Sequence, residues 1–576
     1  MGSTSKASNL VQKGDLVEAE KLCDEIINFD SGDAEAFHLK ATIRLKNKDI
    51  NAAVKNALTA SELEPENINF RLTLAKAFAQ KGDRERAISV LVNAVKQDDS
   101  NYACWLNLGL LCFDDRKFKD ALASFQAAVS VYPERPEAYS GAALSLFQLN
   151  QKNIAIEQAK KALELNETRA VTLCLLGKYL AASKQPKIAR FAFAKSVNLD
   201  PALVDSHAGL ASSNAAIGNF NDAIRATDKL FQQFPLFSRR SKSEKRKVLV
   251  LESNYDGYVA GQTYGKNIFS QFNYPTGLPT NSVSYFHHHI DRQRPVAAAL
   301  ELGNFDLILN NVVNSERASY KPLKNAIEKI AAEMDLPIIN SPEGVSETTR
   351  VDNYKRLSGA KNFIFPKTIE LFIKKDNLKT IEGTILKETP LPIILRPIAT
   401  HAGKGAKLIK SHKELLDAIK HFIGLRMYSI AYHNCTEDNE ISRRYRLACI
   451  GGDLVPVNMH AAHDWNVHGD ERTSENWQAL NLDKDELSFL SNPSSVIGGE
   501  PNIIFDEIRM HTPLDVFGFD FALSQNKEII VFEVNASMAF STFRLLQNYP
   551  YLRQYKELND QLIEDLIESK ISHYKN

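Results

Sequence analysis

Along the first 235 residues, small and apolar positions return in a fixed phase. A small residue recurs every 34 positions, at Ala7, Ala41, Ala75, Gly109, Ala143, Gly177 and Ala211. Twelve residues after each comes an alanine: Ala19, Ala53, Ala87, Ala121, Ala155, Ala189 and Ala223. A proline then stands in one place of the period at Pro65, Pro133, Pro201 and Pro235, with Asp99 and Glu167 at two intervening places. Self-similarity of this length marks a repeat array. Within a copy, Trp105, Leu108 and Gly109 lie at helical spacing, and Ala121, Phe125 and Ala128 follow on a second helix. Two antiparallel helices approach closely only where the facing residues are small, and a proline cannot continue the second helix.

This pattern resembles the tetratricopeptide repeat (TPR), with about seven copies over residues 1–235, the first of them degenerate. The resemblance implies an all-α solenoid whose concave groove binds a peptide or protein. A face that only packs on the rest of the chain, or on a second copy, is the alternative.

The regime changes at residues 236–247, "LFSRRSKSEKRK", where six of twelve residues are Arg or Lys. This reads as a solvated basic linker at a domain boundary, with nucleic-acid contact as the lesser reading. Beyond it, "KVLVLES", "FDLILNNVVN" and "LPIINSP" are continuous apolar runs of buried-strand length, separated by helical patterns such as "YKPLKNAIEKIAAEMD". Strands alternating with helices predict a parallel sheet in an α/β subdomain over 248–342, with a further domain over 343–576. Three consecutive histidines, His287, His288 and His289, would point to alternate faces of a strand. They read as surface or packing residues rather than metal ligands.

Composition narrows the class further. The chain has 576 residues, 44% apolar and 24% charged, with 70 basic against 70 acidic residues. That is globular composition, too long for a single core, and without the field of a nucleic-acid binder. No apolar run spans a bilayer, and the first 30 residues lack the apolar stretch of a signal peptide, so a cytoplasmic protein with no membrane partner is expected. The cysteines Cys23, Cys104, Cys112, Cys174, Cys435 and Cys449 form no CxxC pair and read as buried thiols.

Three later segments carry chemistry. In "PLPIILRPIATHAGKGAKLI" a strand delivers Arg396 to a loop holding His401, Gly403, Lys404 and Gly405. Glycines there let backbone N–H groups approach a phosphate, although a plain hairpin explains the loop equally well and it is not a Walker P-loop. In "ISRRYRLACIGGDLVPVNMHAAHDW" two strands flank a Gly451-Gly452-Asp453 turn. Alternation puts Tyr445, Leu447 and Cys449 on one face and Arg444 and Arg446 on the other. On the return strand it groups Val455, Val457 and Met459 against Asn458 and His460. A face bearing Arg, Arg, Asn and His suits an anion; a solvated outer face is the alternative. In "DVFGFDFALSQNKEIIVFEVNASMAF" Asp520 lies in an apolar strand, and Glu533 and Asn535 share one face of the return strand opposite Ile530, Phe532 and Val534. Two carboxylates and an amide oxygen form a hard donor set suited to Mg²⁺ on nucleotide phosphates.

These segments, in this order, resemble an ATP-grasp domain of the glutathione-synthetase-like ligases. "INSPEGVSETTRVDNYKRLSGAKNFIFPKT" is similar to the entry to that fold. The likeness covers about 248–545 and extends to uncharacterised bacterial proteins that join TPR repeats to such a domain. It implies ATP and Mg²⁺ (or Mn²⁺) as cofactors, with Asp520, Glu533 and Asn535 as metal ligands. Arg396, in place of the family's lysine, and the loop with His401, Gly403, Lys404 and Gly405 would bind phosphates. Arg446, Arg444 and His460 would act on the reacting groups. His463, Asp464 and Trp465 would order the same pocket or merely pack.

The implied reaction activates a carboxylate as an acylphosphate, releases ADP and joins the acyl group to an amine, thiol or other nucleophile. The fused repeats point to a peptide or protein substrate, with a small carboxylate or amine as co-substrate. A small-molecule ligase, an ATP-grasp kinase and a non-catalytic nucleotide-sensing scaffold are the alternatives. Nucleic acid is not an expected partner.

Overall fold

The 34-residue phase folds into helix after helix. The structure is a computed structural model. It describes residues 3–575 except 254–262, 265–266, 269–277, 292, 317–319, 399–404, 438–439, 468–476, 478–479 and 537–548; of 263–264 and 267–268 only the backbone is described. Fourteen helices run from Ser3–Lys13 to Phe220–Gln233. The recurring small residues are buried: Ala7, Ala41, Ala143 and Ala211 are fully enclosed, as are all seven alanines twelve positions later. Each recurring proline stands two residues past a helix end, as Pro65 does after Leu63 and Pro133 after Val131. At the two places lacking proline, other groups supply order. The Asp99 carbonyl accepts the Trp105 indole N–H at 2.8 Å. The fully buried Glu167 takes hydrogen bonds from Ser140, from the Arg169 backbone N–H at 2.9 Å and from its guanidinium.

The closest approaches are filled by two phenylalanines. A Cβ on Gly109 would stand 2.7 Å from the Phe125 ring, and one on Gly141 closer still. Phe193 lies in the same way against Gly177, at 2.8 Å, and Gly209. Each ring thus occupies space that two glycines leave open on neighbouring helices.

The chain divides once, into Met1–Asn219 and Phe220–Asn576. The fourteenth helix therefore belongs with the second unit, although its sequence phase continues the repeats. There Phe231 stacks on His289 and meets Phe237 edge-on. Residues 236–247 are a solvated linker only in part: 242–245 are exposed, but both ends are built into the sheet. Phe237–Arg239 form strand β1 with Phe237 buried, and Arg246 opens β2 while forking onto Glu568 at 2.9 and 2.7 Å.

The second unit holds three main sheets. The first joins β1 (Phe237–Arg239), β2 (Arg246–Glu252), β5 (Val283–His289), β6 (Leu307–Asn310) and β7 (Ile338–Ile339) in the order β1-β5-β2-β6-β7; β3 (Thr263–Tyr264) and β4 (Asn267–Ile268) pair as a separate short hairpin, β4 lying near β1. All its pairings are parallel except the edge strand β1. Both faces are covered, which explains the unbroken apolar run of β2. Val248 and Val250 pack toward the C-terminal helix Arg553–Lys575, and Leu249 and Leu251 toward the helix Tyr320–Met334.

The second sheet comprises β8 (Thr368–Phe372), β9 (Ile393–Pro397), β10 (Lys407–Ile409) and β11 (Arg426–Ala431), all antiparallel, in the order β10-β9-β11-β8. Helices Leu378–Glu388 and His412–His421 cover one face. The third comprises β12 (Ser442–Ile450), β13 (Asp453–Ala462), β14 (Val516–Leu523) and β15 (Ile529–Asn535), in the order β13-β12-β14-β15. The C-terminal helix packs between the first and third sheets, so the boundary expected at 342/343 does not separate independent bodies. Asn340, 2% exposed and left-handed at φ 58°, ties the same two sheets together. Its carboxamide donates to the Val516 carbonyl at 2.7 Å and accepts from the Asp515 and Val516 N–H groups.

The histidine triplet is buried, so of the surface and packing readings the packing one holds. His287 and His289 share a face and meet the fully buried Glu252: His287 Nδ1 lies 3.1 Å and His289 Nε2 2.9 Å from its oxygens, with Asn311 Nδ2 donating at 3.3 Å. Burial alone would raise the Glu252 pKa. The two imidazoles outweigh it and hold the carboxyl far below its ordinary value. His288 points the other way, to the Pro235 carbonyl at 2.8 Å. Among the described residues no group of three or more His, Cys, Asp and Glu is placed to hold a metal ion by itself.

Two stability predictions follow from this packing. Gly141→Ala overfills the Phe125 site and costs about 1–3 kcal/mol, read as a lower midpoint for loss of helical circular dichroism. Because the Glu252 pKa is depressed in the fold, its contribution is present above the ordinary value of 4.5 and is lost as pH falls below it. Glu252→Gln should lower stability at pH 7 by about 3–5 kcal/mol and flatten the acid limb of a stability-against-pH curve.

Candidate functional site

The polar face of the third sheet begins with strand register. β14 runs antiparallel between β12 and β15, so Asp520 stands beside Arg446 on one side and Glu533 on the other. Asp520 is 3% exposed amid Phe517, Phe519 and Phe521, all at most 1% exposed. A carboxylate in such surroundings must be compensated. Arg446 grips it with both arms of its fork: Nε donates to Oδ1 at 2.6 Å and Nη2 to Oδ2 at 2.9 Å. Arg444 Nη1 lies 3.4 Å from Oδ2. Burial pushes Asp520 upward, but Arg446 and then Arg444 overrule it and hold the carboxyl well below the usual range.

Glu533 has its own arginine, which the sequence reading did not single out. Arg350 begins the helix Arg350–Leu357, capped by the Thr349 side chain. Its Nη2 lies 2.6 Å from Glu533 Oε1, and its Nη1 donates to the Phe532 carbonyl at 3.0 Å. Arg396 projects from β9 beside it. Burial raises the Glu533 pKa, and Arg350 and Arg396 together bring it down. The Asn535 side chain hydrogen-bonds Glu533. Burial, and after it the neighbouring Arg350 charge, push Arg396 down to about 10, so it remains charged at neutral pH. Glu316 completes this side, accepting the Tyr428 hydroxyl at 2.8 Å and the Arg350 backbone N–H at 3.4 Å.

Two β-bulges revise the face assignments. One lies between Asp520 and Phe521 in the pairing with β15, leaving Phe532 as the extra residue. Phe532 consequently lines the same cavity as Glu533 instead of the opposite face. The other interrupts β12–β13 between Arg446 and Leu447. Val455 and Val457 therefore pack toward the first sheet, while Met459 packs with Tyr445, Leu447 and Cys449. Strict alternation had grouped all three on one face.

The cavity lies between the second and third sheets. Its charged wall includes Arg350, Arg396, Arg443, Arg444, Asp520 and Glu533. Its apolar wall includes Ile394, Ile430, Ala431, Val467, Ala522 and Phe532, with Tyr432 and Trp465 at right angles, ring centroids 6.4 Å apart. Of the expected site residues, Arg396, Arg444, Asp520 and Glu533 thus share one cavity. Arg446 backs Asp520, Asn535 adjoins Glu533, and His460 stands opposite Arg444 in the β12–β13 register. His463 and Asp464 are exposed, whereas Trp465 forms part of the wall. His401, Gly403 and Lys404 lie outside the described residues. Gly405 has φ 76°, a conformation that favours glycine, close against Pro397. Arg350, Glu316 and Cys435 had no local signature; only folding brings them to the site. The six cysteines are buried and free.

Comparison with known proteins bears on the helical repeats. Residues 72–130, and again 106–170, match the tetratricopeptide repeat family. The helices within residues 72–170 therefore carry tetratricopeptide repeats. Among solved structures, the chain is similar to one titled crystal structure of the APC/C hetero-tetramer Cut9-Hcn1, with 18% identity and TM-score 0.33, covering 39% of this chain and 45% of that one. It is similar to Pseudomonas aeruginosa pilF, with 18% identity and TM-score 0.31, covering 36% of this chain and 93% of that one. It is also similar to YrrB, titled a TPR protein with an unusual peptide-binding site, with 22% identity and TM-score 0.27, covering 31% of this chain and 93% of that one. The comparison with curated proteins found no match. Among the described residues, no helix is long and apolar enough to cross a membrane.

The buried pair at Asp520 can be tested without any ligand. Arg446→Leu strands a buried carboxylate and should cost about 3–5 kcal/mol in chemical denaturation. Adding Asp520→Leu to the same protein should recover most of that loss, since the uncompensated charge is then gone.

Proposed function

We propose that the second unit is an ATP-grasp ligase acting on a peptide or protein held by the tetratricopeptide repeats. The observation that supports this best is the pairing of Asp520 with Glu533 across β14–β15. The pair lies beneath a cleft with one arginine-rich wall and one apolar wall. A nucleotide has the same two-sided character: a flat apolar base and a polyanionic tail.

The donor set fits Mg²⁺. Asp520, Glu533 and Asn535 supply hard oxygens, and two carboxylates are the usual protein share when phosphate oxygens complete the shell. When bound, the ion would neutralise charge on the transferred phosphoryl group. Arg396 and Arg444 would hold the phosphates and the acylphosphate by charge-assisted hydrogen bonds, Arg444 being the one aimed along the Asp520 edge. Arg446 would act from behind, fixing Asp520. His460, next to Arg444 in register, would orient the nucleophile. The carboxylate oxygen would attack the terminal phosphorus and release ADP; the amine or thiol would then displace phosphate from the acylphosphate. The protein's part is positioning and charge compensation. Tetratricopeptide repeats form surfaces for protein interaction, which motivates a polypeptide substrate. A nucleotide-sensing scaffold is the second reading, favoured by the arginine already seated on each of the two acids.

Mg-ATP at about 100 times its dissociation constant should stabilise the fold by roughly 2.7 kcal/mol, read as a magnesium-dependent rise in melting temperature that Glu533→Ala abolishes. No rise in the folded parent would remove the nucleotide from this cleft. A stable phosphate ester in place of an amide or thioester product would convert the assignment to a kinase. Removal of residues 1–219, the compact helical unit, should abolish modification of the polypeptide and leave the Mg-ATP shift in place.

A further inference from the structure

Arg350 stands where a cation is wanted. Its guanidinium lies 2.6 Å from Glu533 Oε1 and forms part of the cleft wall. It also donates to the Phe532 carbonyl, the backbone group exposed by the β15 bulge. The charge balance explains why it is there. Around Asp520 and Glu533 the fold gathers Arg350, Arg396, Arg444 and Arg446, with Glu316 the further carboxylate at the Arg350 end. Among the described residues, four guanidiniums thus surround these three carboxylates. The other wall arginine, Arg443, is turned to Glu437 and Asp485, at 2.7 and 2.8 Å.

Arg350, Arg396 and Arg444 offer a polyphosphate partners that need no metal, and Glu533 and Asp520 each already carry an arginine. A divalent ion approaching Glu533 alone meets an arginine already on one of its two oxygens. With phosphates in the cleft, their charge offers Arg350 a second partner and supplies the missing oxygens of the ion's shell.

We propose that Arg350 is a resident stand-in for the divalent cation at Glu533. It holds that carboxylate in the metal-free protein, competes with the ion for it, and makes the cleft bind the nucleotide's phosphates before the metal. This rests on the nucleotide reading of the cleft and goes beyond it by assigning an order of binding and the residue that imposes it.

The proposal predicts effects of opposite sign from one substitution. ADP binding to the full chain is measured by calorimetry in EDTA, and the Mg²⁺ dependence of the ADP-induced rise in melting temperature is titrated separately. In EDTA the parent should bind ADP, and Arg350→Ala should weaken that binding about tenfold or more, the loss of one charge-assisted contact. The same variant should need several-fold less Mg²⁺ for half of the full stabilisation, because Glu533 has lost its competitor. Arg350→Lys keeps the charge without the fork and should restore much of the metal-free binding. It also stands in if the alanine variant does not fold; it should then lower the Mg²⁺ requirement to a smaller degree. Equal Mg²⁺ requirements in parent and both variants overturn the proposal. So does a higher requirement in either variant, which is what a merely structural arginine would give. A parent that binds ADP only with Mg²⁺ overturns the order of binding while leaving the nucleotide site standing. A parent that binds ADP under neither condition removes the nucleotide reading itself.

Discussion

The constraint on which the second unit turns is the cost of burying carboxylates. Asp520 and Glu533 sit on adjacent strands of a sheet whose other face is a dense aromatic core, with Phe489, Phe505, Phe519 and Phe521 in mutual contact. Charges cannot be left bare in such a place. The fold answers with guanidiniums from three directions: Arg444 and Arg446 from β12, Arg396 from β9 and Arg350 from a helix start. These partners come from separate sheets and a helix, so compensation of charge and assembly of the cleft are one event. Arginine suits the task because its planar fork meets both oxygens of a carboxylate and it stays charged when buried. The geometry that keeps Asp520 ionised is also what makes the cleft attractive to phosphates.

The helical unit depends on a different constraint, close approach without charge. Phe125 and Phe193 each occupy space that a pair of glycines leaves open, and alanines repeat at the other crossings. The energetics there are those of close packing, where one methyl group is felt. The helix Phe220–Gln233 shows how two such regimes can share an element. Its phase is that of the repeats, whereas Phe231 is buried against Phe237 and His289 of the second unit.

Much of this was open to inspection along the chain. Period and residue size located the helices, because local pitch decides which residues face a neighbour. Alternation placed Arg444 and Arg446 opposite Tyr445, Leu447 and Cys449, and the structure keeps that division. It failed at Phe532 and at Val455 and Val457, where bulges insert one residue and shift the register; nothing in a period-two pattern announces a bulge. Charge misread the ends of residues 236–247: the middle is exposed, but Arg246 finds Glu568, more than 300 positions away. The histidine triplet was left open between surface and packing because its partner, Glu252, becomes adjacent only when β2 and β5 pair in parallel.

The sequence by itself determined the repeat helices, the buried parallel strands and the presence of Asp520, Glu533, Arg396 and Arg444 on strands. Those properties follow from local periodicity and from side chains' own preferences. Only the tertiary structure decided that these residues share a cavity, that Arg350 and Glu316 join them, and that the division falls at Asn219 rather than after Pro235. The physical reason is that compensation of a buried charge acts through space. Its partners are chosen by which strands and helices come together, and neighbours along the chain carry no mark of that choice.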